Sequence, residues 1–120
     1  MNVQITENFH SDEFKCKCGC GLSDIDTSLI FALQKVRDEV VTPMICTSGL
    51  RCKTWNKAVG GAENSSHQWG KAVDIACDDG VLRHRLMESF MKHFKRIGVA
   101  KTFIHVDNDH MKTHPVIWTY

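Results

Sequence analysis

Apolar residues recur along this chain at two periods, and the change of period marks out its elements. After Asp26 and Thr27, either of which can cap a helix, Leu29, Leu33, Val36 and Val40 fall on one helical face. Pro43 ends that helix, because the residue before a proline is pushed out of the helical region. Met44 to Thr47 reads as a short strand and "SGLR" as a turn. Thr54 to Val59 reads as a short helix closed by Gly60 and Gly61, with a polar loop running on to Ser66. Lys71 to Cys77 is small and β-branched, which suits a strand, and Asp78, Asp79 and Gly80 turn the chain. Leu82, Leu86, Phe90, Phe94 and Ile97 then share a helical stripe, predicting a second long helix that stops at Gly98. Thr102 to Asp107 is a further strand, and "VIWTY" a last one with Pro115 at its start. Helices flanking a small, mostly antiparallel sheet make an α+β domain.

Two of the predicted strands carry charge where alternation leads one to expect only packing. Val73, Ile75 and Cys77 share one face and read as core, while Ala72, Asp74 and Ala76 share the other. The alanines leave room beside Asp74, and a carboxylate there needs a cation as partner. In the later strand Ile104 and Val106 face the core, and Phe103, His105 and Asp107 face away. His67, in "SHQWGKAVDI", stands at the entrance to the Asp74 strand. If the two strands are neighbours, His67, Asp74 and His105 converge. Two imidazoles and a carboxylate leave a fourth tetrahedral position open, the form of a catalytic zinc site, although non-haem iron takes similar donors. Plainer readings stand beside this one: His105 as a hydrogen-bonded core residue, and Asp74 paired with Arg51 or Lys71. His84 and His93 read as solvated or edge residues of the second long helix. His10 and His114 have no evident partner, and His110 lies near enough to the site to remain a candidate.

Length and charge narrow the classes. A chain of 120 residues supports one domain, taken here as residues 1–120, and a net charge of +1 attracts neither nucleic acid nor anionic lipid. No apolar run approaches the ~20 residues that span a membrane. The start, "MNVQITENFHSDEF", is polar and acidic and reads as no secretory signal, so we expect retention in the producing cytoplasm. Six cysteines stand at 16, 18, 20, 46, 52 and 77. Free thiols, disulfides formed after release and ligands of a second metal all remain open for them. The one-residue spacing in "CKCGCG" matches the usual paired zinc spacing poorly.

The segment "TSGLRCKTWNKAVGGAENSSHQWGKAVDI", followed by "KTFIHVD", resembles the M15 family of zinc D-alanyl-D-alanine peptidases. The likeness is greatest to small bacterial and phage-borne members with the pattern SGxR…HN..VGG…S.H..G.A.DI…HxD. It runs from about Phe9 to Asp107, and it implies the fold shared with the hedgehog signalling domain. It further implies that His67, Asp74 and His105 ligate a single zinc ion, and that Arg51 contacts substrate or stabilises an oxyanion. Asn56 is implied to order its loop, and Ser66 to precede the ligand histidine at the substrate. Several members carry an acid three residues before the last histidine ligand, where this chain has Thr102. Asp107 is then the nearest carboxylate, either as catalytic base or as the group that orients His105. Asp109 and His110 are weaker candidates for the base, and Trp118 either lines the cleft or packs in the core.

The reading that results is a zinc metallopeptidase acting, as a monomer, on the stem peptides of bacterial peptidoglycan. It would be a D-Ala-D-Ala carboxypeptidase or an endopeptidase. The absence of a signal and of a wall-binding domain points to a phage endolysin held in the cytoplasm until release. The rivals are a non-catalytic zinc-binding module of the same fold and a cysteine-rich nucleic-acid module, the latter opposed by the near-neutral charge.

Overall fold

The computed structural model describes residues 2–120. The first long helix, α1 (Thr27–Val40), starts where Asp26 accepts a hydrogen bond from the Ser28 backbone N–H at 2.9 Å. It stops because Val41 turns to φ 57°, and Pro43 prevents it from resuming. The next elements are β1 (Cys46–Ser48), α2 (Lys53–Ala58), a 3-10 turn at Ser66–Trp69, and β2 (Ala72–Ala76). α3 (Gly80–His93) is capped by the Asp79 carboxylate on the Val81 N–H. Three strands complete the chain: β3 (Arg96–Val99), β4 (Phe103–Asp107) and β5 (Val116–Thr119).

The predicted second helix is too long. It ends at His93, and Phe94 is already extended. Arg96–Val99, read as the end of that helix, is instead a strand between β4 and β5. The stripe misled because Phe94 and Ile97 are buried in the same core as Leu86 and Phe90, but from extended backbone. A core-facing pattern can pass from helix to strand without losing phase over three or four residues.

The five strands lie in the order β1-β2-β4-β3-β5. All neighbours are antiparallel except β3 and β5, which run parallel, so the fold is the expected small α+β domain. One face of the sheet presents Val73, Ile75, Ile97, Ile104 and Val106 to α1 and α3, which supply Leu29, Leu33, Val36, Leu86 and Phe90. Burying a side chain of this size contributes ~1.5–3 kcal/mol, so this face carries most of the stability. The other face is polar. Its central row crosses every strand, pairing Ser48 with Asp74, Asp74 with His105, His105 with Gly98, and Gly98 with Trp118. Among the described residues no helix is long and apolar enough to cross a membrane.

Candidate metal centre

His67 is delivered to this row by the 3-10 turn. Ser65 caps the turn, and Gly70 closes it at φ 70°, where a Cβ would stand 2.7 Å from the Asp24 carbonyl oxygen. The ring is 2% exposed, its centroid 5.1 Å from that of His105. Asp74 and His105 face each other directly across β2 and β4. His67 Nε2 lies 3.2 Å from Asp74 Oδ1, and His105 Nδ1 lies 3.0 Å from the same oxygen.

The remaining ring nitrogens decide what these short distances mean. His67 Nδ1 is 2.7 Å from the Gly49 carbonyl oxygen, which can only accept, so that nitrogen carries the proton. His105 Nε2 is 2.7 Å from Asp107 Oδ2, again an acceptor, and donates to it. In the neutral imidazoles, Nε2 of His67 and Nδ1 of His105 are then bare lone pairs aimed at a carboxylate oxygen. Three acceptors facing one another within 4.8 Å repel unless a cation sits among them. The donor set therefore fits a metal ion: two imidazoles and a carboxylate, each fixed from behind.

The electrostatics show a cluster that draws positive charge. Burial alone would raise the Asp74 carboxyl, but hydrogen bonds and charge from His105 and His67 outweigh it and hold the group well below the usual carboxylate range. Burial likewise works against charge on His105, yet Asp107 and Asp74 raise its proton affinity above that of an ordinary histidine. A proton on Nδ1 and a metal ion are alternative occupants of one position.

Arg51 enters from the turn after β1. Its Nη2 stands 3.4 Å from Asp74 Oδ2, Nε donates to Ser48 Oγ at 2.9 Å, and Nη1 donates to Asn56 Oδ1 at 3.1 Å. Asn56 in turn donates to the Ala62 carbonyl at 2.8 Å, ordering the loop. A Cβ at Gly61 would lie 2.1 Å from Asn56 Oδ1 and 2.8 Å from Arg51 Nη1, so this glycine is the space the guanidinium occupies.

Asp107 has both oxygens engaged. Oδ2 accepts from His105, and Oδ1 accepts from Arg96 Nε at 2.8 Å and from the Asp109 N–H at 3.1 Å. Burial pushes its carboxyl up, but His105 and Arg96 bring it below the ordinary carboxylate range. Arg96 belongs to the strand the sequence pattern missed; placing Arg96 opposite Asp107 in a hairpin would have found it. Trp118 lies beside the site, its ring 5.2 Å from His105 and under the Arg96 guanidinium at 5.0 Å. It reaches there because Gly98 has no side chain: a Cβ would sit 2.6 Å from the indole. Ser66 Oγ donates to Asp109 at 2.7 Å and accepts from Lys112 Nζ at 2.9 Å. Thr102 is exposed before β4, and His110 and His84 are exposed outside the cluster. The site opens into a cleft of about 480 Å³, whose walls include Arg51, Ser66, Trp118 and Tyr120.

The sequence profile of the family described as peptidase M15 matches residues 7–107. The chain belongs to the peptidase M15 family. Comparison with curated proteins finds no match. The matched span takes in β1, the Arg51 turn, β2 and β4, and so contains every side chain of the three-residue cluster in this M15 peptidase.

Proposed function

We propose that this M15 peptidase is a zinc enzyme that hydrolyses the stem peptides of bacterial peptidoglycan, at a D-Ala-D-Ala bond or a cross-link beside it. The observation that carries the reading is the convergence of three lone pairs beside an arginine at the floor of an open cleft. His67, Asp74 and His105 would hold the ion, and this mix of nitrogen and oxygen donors with an open side suits Zn²⁺. When bound, such an ion polarises a carbonyl and acidifies water.

The chain's own residues do the rest. Asp107 keeps the His105 proton on Nε2, so that Nδ1 stays available to the metal; we assign it the orienting role rather than that of base. The Gly49 carbonyl does the same for His67. Arg51, held by Ser48 and Asn56, offers positive charge beside the site to oxygen that becomes negative in the reaction. It also suits a substrate rich in carboxylates. Trp118 forms a flat apolar wall. Ser66, tied to Asp109 and Lys112, shapes the rim through which substrate enters.

A second reading is a non-catalytic zinc module. It is favoured by Thr102, exposed where an acid would serve as base, together with the engagement of both Asp107 oxygens. One experiment separates the two. Purified peptidoglycan is digested with the protein, with the protein plus chelator, and with His105→Ala, and the fragments are weighed by mass spectrometry. New stem-peptide termini that vanish in both controls support the peptidase and name the bond cut. An unchanged digest from folded, zinc-loaded protein sinks it in favour of the binding module.

A further inference from the structure

Four of the six cysteines gather at a second place. Cys16, Cys18 and Cys20 lie on one loop and Cys52 precedes α2, yet their sulfurs all fall within 4.8 Å of one another. Cys16 Sγ is 3.4 Å from Cys18 Sγ, and Cys18 Sγ is 3.7 Å from Cys52 Sγ. Zinc–sulfur bonds of ~2.3 Å in a tetrahedron put sulfurs ~3.8 Å apart, whereas a disulfide holds them at ~2.05 Å. The separations exclude a disulfide and fit the first arrangement.

Two further features point to sulfur that carries charge. The Cys52 backbone N–H donates to Cys16 Sγ at 3.4 Å, and the Trp55 N–H donates to Cys52 Sγ at 3.3 Å. Among the described residues this loop buries little of itself. In "KCKCGCGL" only Cys16 is buried, Leu22 is 37% exposed, and Cys18 and Cys20 face solvent. Nevertheless the Cys16 N–H closes the loop onto the Leu22 carbonyl at 2.8 Å, and Gly19 and Gly21 both adopt φ 87°, which lets alternate side chains wrap to one side. Lys15, Lys17 and Lys53 flank the four thiols and offset the negative charge of a four-thiolate centre. Cys46 and Cys77 stand outside this group.

We infer that Cys16, Cys18, Cys20 and Cys52 bind a second zinc ion, with all four ligands supplied by the protein and structural in role. The turns at Gly19 and Gly21 accommodate the one-residue spacing of "CKCGCG", and the fourth ligand comes from distant sequence. The ion would pin the N-terminal segment to the turn carrying Arg51, where the Leu50 N–H already meets the Phe14 carbonyl at 2.8 Å. The inference does not depend on the proposed reaction, since it concerns other ligands.

Full-length protein made in zinc-supplemented medium and purified under a phosphine reductant is expected to carry two zinc ions per chain by elemental mass spectrometry. Cys18→Ala/Cys20→Ala should carry one, and so should His67→Ala/His105→Ala. X-ray absorption of the latter variant should show a pure sulfur shell at ~2.3 Å; this measurement stands even if the cysteine variant fails to fold. One zinc in the parent and none in the histidine variant would overturn the inference. So would a stable two-disulfide form, four hydrogens lighter, with a single zinc. Loss of zinc from the histidine centre alone would instead count against the proposed reaction.

Discussion

The histidine centre and the cysteine cluster collect donors in opposite ways. Asp74 and His105 sit on neighbouring strands, paired in the sheet, and His67 is fixed by a short turn. Their positions follow from the core beneath them, and each imidazole is oriented from behind by Gly49 or Asp107. Three of the cysteines lie on a loop with little core of its own, the fourth stands at the start of α2, and two of the four are exposed. A scaffold-held site can leave one direction open to a cleft without losing its shape. A loop-held site needs all its ligands closed around the ion, which then acts as the core the loop lacks. The difference teaches which site is suited to chemistry and which to structure.

The comparison can be broken most sharply at a ligand. His105→Ala should reduce peptidase activity to background while the melting temperature stays close to the parent's, because β4 keeps Ile104 and Val106 in the core. A collapse of the fold in thermal melts would show that the histidine centre is structural too. Next in size is Arg51→Ala, for which we expect kcat to fall by ~10²–10³-fold with zinc content unchanged, as for loss of one group that stabilises a developing oxyanion. Arg51→Lys should recover little, since it cannot reach Ser48 and Asn56 together. Normal kcat in Arg51→Ala would exclude this role.

Asp107→Asn should weaken zinc binding by ~10–100-fold, measured by competition with a chromogenic chelator, and kcat should return at saturating zinc. The pH dependence gives a second readout. In the parent, zinc uptake weakens on acidification as a proton claims His105 Nδ1, whose proton affinity burial lowers but Asp107 and Asp74 raise on balance. Without the Asp107 charge the acid limb should move to lower pH. A kcat that stays low at saturating zinc would restore Asp107 as the base. The smallest effect lies far from both sites. Val41 is a β-branched residue at φ 57° and 75% exposed, so Val41→Gly relieves a strained end of α1. A gain of less than ~1 kcal/mol is expected from thermal unfolding, after the flexibility that glycine adds to the unfolded chain. No change in zinc content should accompany it.

Alternation was enough to place Asp74 and His105 on the open face and their neighbours in the core, because each strand is buried on one side by helices. The turn with Gly60 and Gly61 was also readable. What could not be read was β3. Its Ile97 continues the helical stripe of α3, and Gly98, which looks like a helix stop, is in fact the seat of Trp118. With β3 went Arg96 and therefore the engagement of Asp107. The cysteine cluster escaped for another reason: Cys52 is brought to the loop by tertiary contacts between Phe14 and Leu50, which no local spacing records.

The row from Ser48 through Asp74, His105 and Gly98 to Trp118 has a consequence for how the chain folds. Sliding β4 by one residue against β2 would turn His105 and Asp107 into the helices and expose Ile104 and Val106. Two buried polar groups and two lost apolar ones make that error costly at once, before any ion or substrate arrives. The apolar face thus proofreads the alignment of the polar one, and a molecule that has packed its core has already assembled its site.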